Sequence, residues 1–227
     1  MKFSEKIRET RRVVEDTKTV DSIRLIGVTK YLDLKGTEEA ILSGLTDIGE
    51  NRLQSAEEKI ITLKPKYPNI SWHFLGRLQT NKAKKIIQLF NYIHSIDSFE
   101  KLELIDNLCL QENKDINLLI QLDISGEETK QGMTEEELFA NLEAIKNLKK
   151  AKFVGLMTMA PLIQDENILR GIFKKTKEIK KELIKKGIKC QELSMGMSND
   201  YIIALQEEAT MLRLGTVLFL QEGTNER

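Results

Sequence analysis

The chain has 227 residues, 41% of them hydrophobic, enough to bury the core of one large domain or two small ones. Lys plus Arg equals Asp plus Glu, 35 each, so no global field draws the chain to nucleic acid or to an anionic membrane. Two distant cysteines, Cys109 and Cys190, lack metal-ligand spacing, and no run has signal-peptide or transmembrane character, so a reducing, cytoplasmic setting is expected.

In chain order, residues 2–17 pattern as an amphipathic lead helix. Leu25 to Lys30 follows as the first strand, then a helix from Thr37 with Gly44 near its end. Asp47–Asn51 is the second strand, with a helix after it to about Leu63. Ser71–Gly76 is the third, before a basic helix over Asn81–Phe90. Tyr92–Asp97 is the fourth, before a helix over Ser98–Glu112. Asn117–Ser125 is the fifth. Thr134 and Glu137 then form a capping-box pattern that opens a helix to Lys150. Phe153–Met159 is the sixth strand, followed by a lysine-rich helix from about Asp165 to Lys186. Glu192–Met197 is the seventh, Asn199–Glu208 a short helix, and Met211–Leu220 the eighth.

Three prolines and no linker interrupt this alternation, so one domain over residues 1–227 is expected. Strands alternating with helices imply parallel pairing by right-handed crossovers. An open doubly wound sheet shares that pattern, but eight is the count that closes a (β/α)8 TIM barrel, which is the fold expected here. Functional groups of such barrels collect at the carboxyl ends of the strands. Those ends carry Lys30, Glu50 with Asn51, Gly76, Asp97, Ser125, Thr158, Ser198, and Arg213 with Gly215 and Thr216.

Lys30 closes an apolar run. A lysine buried at a strand end loses solvation of its charged form, and its amine becomes a nucleophile toward aldehydes. Taken alone, a lysine snorkelling from a strand end is the commoner explanation. Arg213 lies in a run that is otherwise apolar, where a charge needs a partner; a salt bridge and a ligand role explain it equally well. Gly215 and Thr216 can offer N–H groups and a hydroxyl to a phosphate, as loops after the last barrel strands often do. Ser198 suits the N-cap of the following helix, itself an anion site. Asn51 could bond a ring substituent, although a turn asparagine is the ordinary reading. An amine at one end of the chain and an arginine with a Gly-Thr pair at the other suit a phosphorylated aldehyde such as pyridoxal phosphate (PLP). His73 and His94 read as satisfied core histidines, and no third ligand suggests a metal. Met157, Met159, Met195 and Met197 read as core filling. Lys174, Lys175, Lys177, Lys180, Lys181, Lys185 and Lys186 read as a solvated helix face.

Val28-Thr-Lys30, Gly49-Glu-Asn51, Trp72-His-Phe-Leu-Gly76 with Leu78-Gln79 and Asn81-Lys82, Leu156-Met157, Leu193-Ser-Met-Gly-Met-Ser198 and Arg213-Leu-Gly-Thr216 form an ordered set over nearly the whole chain. In this it resembles the pyridoxal phosphate homeostasis protein family. The resemblance implies a fold type III barrel like the N-terminal domain of alanine racemase, with PLP held as an internal aldimine on Lys30. It implies that Ser198, Gly215 and Thr216 hold the phosphate and that Arg213 faces the pyridine nitrogen. Tyr31 stands where many members carry proline, and Leu220 where many carry glycine.

An arginine at the ring nitrogen disfavours its protonation and so slows carbanion chemistry. A racemase also needs an acid/base group on each face of the substrate carbon, and the sequence offers no second β domain to supply one. The expectation is therefore a non-catalytic, monomeric PLP-binding protein, with PLP-dependent apoenzymes as candidate recipients. The alternatives are a weak PLP-dependent racemase and a cofactor-free aldolase that uses Lys30.

Overall fold

Segments rich in Leu, Ile and Val, five or six residues long and largely buried on both faces, set four of the strands. In the computed structural model, which describes residues 2–124 and 132–219, eight parallel strands close into a barrel in sequence order. They are β1 (Arg24–Val28), β2 (Asp47–Glu50), β3 (Ser71–Phe74), β4 (Tyr92–Ile96), β5 (Asn117–Gln121), β6 (Lys152–Met157), β7 (Glu192–Ser194) and β8 (Met211–Leu214). The helices are α1 (Ser4–Thr17), α2 (Leu34–Leu42), α3 (Leu53–Leu63), α4 (Ala83–Leu89), α5 (Phe99–Glu112), α6 (Glu135–Ala140), α7 (Leu142–Lys146), α8 (Glu166–Lys185), α9 (Tyr201–Gln206) and α10 (Thr216–Phe219).

Short polar side chains start several helices. Asp33 Oδ1 accepts from Gly36 N at 2.7 Å, and Asp165 Oδ1 accepts from Asn167 N at 2.9 Å. Thr134 and Glu137 form the reciprocal capping box expected of them. On α8, Leu169, Ile172, Phe173, Ile179 and Leu183 are buried, while most of its lysines face outward. Most of the core fills the annulus between strands and helices. A smaller cluster of Ile26, Leu119, Met157 and Met211 sits apart from it.

Several elements differ from expectation; the first strand ends at Val28 and not at Lys30, and the seventh at Ser194 and not at Met197. The eighth strand stops at Leu214; after Gly215 the chain turns into α10. An apolar run does not by itself distinguish strand from buried helix, and here Leu218 and Phe219 bond back to the Gly215 carbonyl. The helix from Thr134 breaks at Asn141, whose side-chain amide donates to Glu137 O at 3.0 Å and competes with the helical ladder. The fifth strand ends at Gln121; Ser125, like Leu220, lies outside the described residues.

Asp106 on α5 anchors the start of β6. Its carboxylate accepts from the backbone N–H groups of Lys149, Lys150 and Ala151 at 2.8–2.9 Å. Asp106→Ala strands these donors and should lower stability by about 3 kcal/mol. Urea unfolding should show a lower midpoint with an unchanged slope.

Candidate functional site

The carboxyl ends of β1, β6, β7 and β8 surround a cavity of about 380 Å³, lined by Lys30, Asn51, Met197, Ser198, Arg213, Gly215 and Thr216 among others. Glu50, Gly76, Asp97 and Thr158, though at strand ends, do not line it, but the six residues expected to hold a ligand are together in one place. Barrel closure does this: β8 pairs with β1, with Ile26 beside Arg213 and Gly27 beside Leu214.

Lys30 is not in the strand. β1 ends at Val28, and Leu32 N donates to Thr29 O at 2.9 Å, so Lys30 belongs to a turn. That turn carries the side chain out over the mouth. The expected burial of the amine is not met: Lys30 is exposed, with Nζ 4.6 Å from the centroid of the Tyr31 ring. Asn51 follows β2, and the end of β3 passes tightly against it. A Cβ at Gly76 would lie 1.9 Å from Asn51 O, so only glycine fits there.

Ser198 is not an N-cap. Asp200 precedes α9 without capping it, and Asp200 Oδ1 instead accepts from Met197 N at 2.6 Å. The turn before α9 is made by Gly196 at φ +94°, a conformation that favours glycine. It carries Ser198 across to the β8–α10 junction, where the N–H groups of Gly215 and Val217 both donate to Ser198 Oγ at 3.3 Å. Two amides at the opening turn of a helix, converging on one hydroxyl over long bonds, form a donor set suited to phosphate oxygens.

Arg213 is fully inside the barrel. Nη1 donates to Ser194 O at 2.6 Å and to Ser194 Oγ at 2.7 Å, and Nη2 donates to Thr158 O at 2.9 Å. Burial lowers its pKa to about 10, with Asp200 opposing the shift, so it remains a cation near neutral pH. The salt bridge with a neighbouring strand carboxylate, one of two readings open from the sequence, does not form among the described residues; two carbonyls and a hydroxyl accept its hydrogen bonds.

From Ser194 a hydrogen-bonded chain continues through the barrel. Ser194 Oγ lies 2.8 Å from His94 Nδ1, His94 Nε2 lies 2.9 Å from His73 Nδ1, and His73 Nε2 lies 2.9 Å from Asp47 Oδ1. Arg24 Nη1 donates to that same carboxylate oxygen at 2.9 Å. A carboxylate only accepts, so His73 Nε2 donates to it and His73 Nδ1 accepts from His94 Nε2. His94 Nδ1 then accepts the Ser194 hydroxyl proton, and the Ser194 lone pairs face Arg213. Burial would raise the Asp47 carboxyl, but bonds from His73, Arg24 and Thr46 hold it below its usual range. His73 and His94 were expected to be satisfied core residues, and they are. No pattern in the sequence shows that they are linked to each other and to Arg213. Met159 and Met197, expected to be core filling, line the cavity instead.

Burial depresses both imidazoles, His94 well below the usual 6.5 because His73 and Arg213 add to the effect. Below about pH 6.5 the unfolded chain takes up protons that the folded chain refuses, so stability falls as pH drops. The slope should approach about 1.4 kcal/mol per pH unit for each histidine. Urea unfolding between about pH 7 and pH 5 should show this decline, and His94→Gln should make it shallower.

Residues 7–222 match the family model for the alanine racemase N-terminal domain. The chain is 40% identical over 199 residues to a pyridoxal phosphate homeostasis protein of Synechocystis sp., covering 87% of this chain and 91% of that one. It is 36% identical over 197 residues to another from Aquifex aeolicus, covering 86% of each. PipY of Synechococcus elongatus with PLP bound superposes with a TM-score of 0.88 at 32% identity, over 96% of this chain and 99% of that one. An alanine racemase of Clostridium difficile shares the fold, with a TM-score of 0.76 at 14% identity, over 97% of this chain and 58% of that one.

Proposed function

Because this chain belongs to the pyridoxal phosphate homeostasis protein family, we propose that its barrel mouth holds PLP and that it serves as a non-catalytic carrier of the cofactor. The observation that carries this reading is the convergence of the Gly215 and Val217 amides on Ser198, in the same cavity as Lys30 and Arg213. That donor set fits a phosphate, an aldehyde-reactive amine and an aromatic ring between them. Bound PLP supplies an aldehyde that condenses with amines and a ring that withdraws electrons.

Lys30 is the amine that attaches the cofactor. Its turn conformation lets the side chain swing from Tyr31 toward the ring. Ser198, Gly215, Thr216 and the Val217 amide take the phosphate, and Asn51 borders the ring. Arg213 meets the ring nitrogen. Its guanidinium is held by three acceptors, so its charge would stay beside that nitrogen and disfavour ring protonation.

Two observations favour carriage over catalysis. Racemisation needs a fixed acid/base group on each face of the reacting carbon. Besides Lys30 and Arg213, the titratable side chains that line the cavity among the described residues are Tyr31, which is 72% exposed, and Asp200, which holds the Met197 amide. In this reading the protein acts as a cytoplasmic monomer that yields PLP to apoenzymes. No helix of the described residues is long and apolar enough to cross a membrane.

Purified protein loaded with PLP should show a visible band that borohydride abolishes, with the reduced adduct on Lys30 by mass spectrometry. Lys30→Ala should lose the band. An adduct on another lysine would refute the assignment. Incubated with amino acids in deuterated water, the loaded protein should leave the α-proton in place; rapid exchange would favour the racemase.

A further inference from the structure

Thr29, the residue before Lys30, has every polar atom bonded. Its N–H donates to Gly49 O at 3.0 Å, and its hydroxyl donates to Glu50 Oε1 at 2.6 Å. Its carbonyl accepts from Leu32 N at 2.9 Å and from Lys59 Nζ at 2.9 Å. Lys59 reaches in from α3 and also donates to Glu50 Oε1 at 2.7 Å. Thr29 and Glu50 are 0% exposed and Lys59 4%.

This ion pair is poorly built for stability. Desolvating two charges costs about as much as their attraction returns unless the remaining lone pairs are also satisfied. Glu50 Oε2 is buried with no hydrogen-bond partner among the described residues. What the pair does secure is geometry: it ties α3, the end of β2 and the Thr29 peptide together directly beneath Lys30.

We propose that Lys59 and Glu50 are positioning residues for Lys30, holding the Thr29–Lys30 peptide so that the amine meets the aldehyde of a docked ligand. The proposal rests on Lys30 as the attaching residue. Neither side chain lines the cavity that takes the ring and phosphate. Loss of the clamp therefore slows covalent capture and spares non-covalent docking.

The test compares wild type, Lys59→Met and the double variant Lys59→Met/Glu50→Gln. The double variant leaves no buried charge unpaired and keeps an acceptor for the Thr29 hydroxyl. Stopped-flow absorbance gives the rate of covalent capture of PLP. Titration with pyridoxine 5′-phosphate, which lacks the aldehyde, gives docking alone. Capture should slow roughly tenfold in the double variant, because misplacing a reacting group loses rate steeply, while pyridoxine 5′-phosphate affinity stays unchanged. In the ligand-free protein, hydrogen exchange at the Leu32 amide, which is bonded to Thr29 O, should quicken. Unchanged capture in a folded double variant would overturn the proposal, as would equal losses for both ligands. A wild type that forms no adduct on Lys30 would overturn the attachment reading and this proposal with it.

Discussion

The barrel closes where the first strand meets the last, with β1 and β8 running parallel. That pairing brings together residues more than 180 positions apart in the chain, Lys30 and Arg213. It also presses the start of α10 against β1, where a Cβ at Gly215 would lie 3.4 Å from Val28 O. Without closure the Lys30 amine would lie apart from the segment that carries Arg213 and the Gly215 and Val217 amides. With it they share one cavity.

A parallel barrel is usually filled by layers of branched apolar side chains. In this one, Ile26, Leu119, Met157 and Met211 form a small apolar cluster, and a polar chain from Arg24 and Asp47 to Arg213 runs beside it. The chain has a direction. Its acceptor end faces the buried cation and its donor end faces the carboxylate, so the dipoles of one hydroxyl and two imidazoles stabilise both charges at once. Neutral histidines serve here as bridges, each accepting at one ring nitrogen and donating at the other. A buried guanidinium that would otherwise carry a large desolvation penalty is thereby kept at the floor of the site.

The rim is built differently from the floor. Its donors are backbone amides at the opening of α10, brought to the mouth because the eighth strand ends early. Ser198 reaches them through a glycine turn and stays clear of the α9 cap. Tyr31, Met159, Leu162 and Ile163 leave the mouth apolar and accessible. A buried, hydrogen-bonded charged floor thus lies under an open, partly apolar rim.

The amino-acid sequence alone determined the β/α alternation, the eight strands and six of the cavity residues, Lys30, Asn51, Ser198, Arg213, Gly215 and Thr216. Those features rest on local periodicity and on short runs such as Arg213-Leu-Gly-Thr216, which survive without knowledge of contacts. Strand ends were less legible: an apolar stretch such as Met211–Leu220 satisfies a strand and a buried helix alike, and only the bonds of Leu218 and Phe219 to Gly215 decided it. The exposure of Lys30, the bridging role of Ser198, the histidine chain and the Lys59–Glu50 clamp all depend on which side chains meet across strands far apart in the chain. Such meetings are set by barrel register and closure, and no window of sequence contains them.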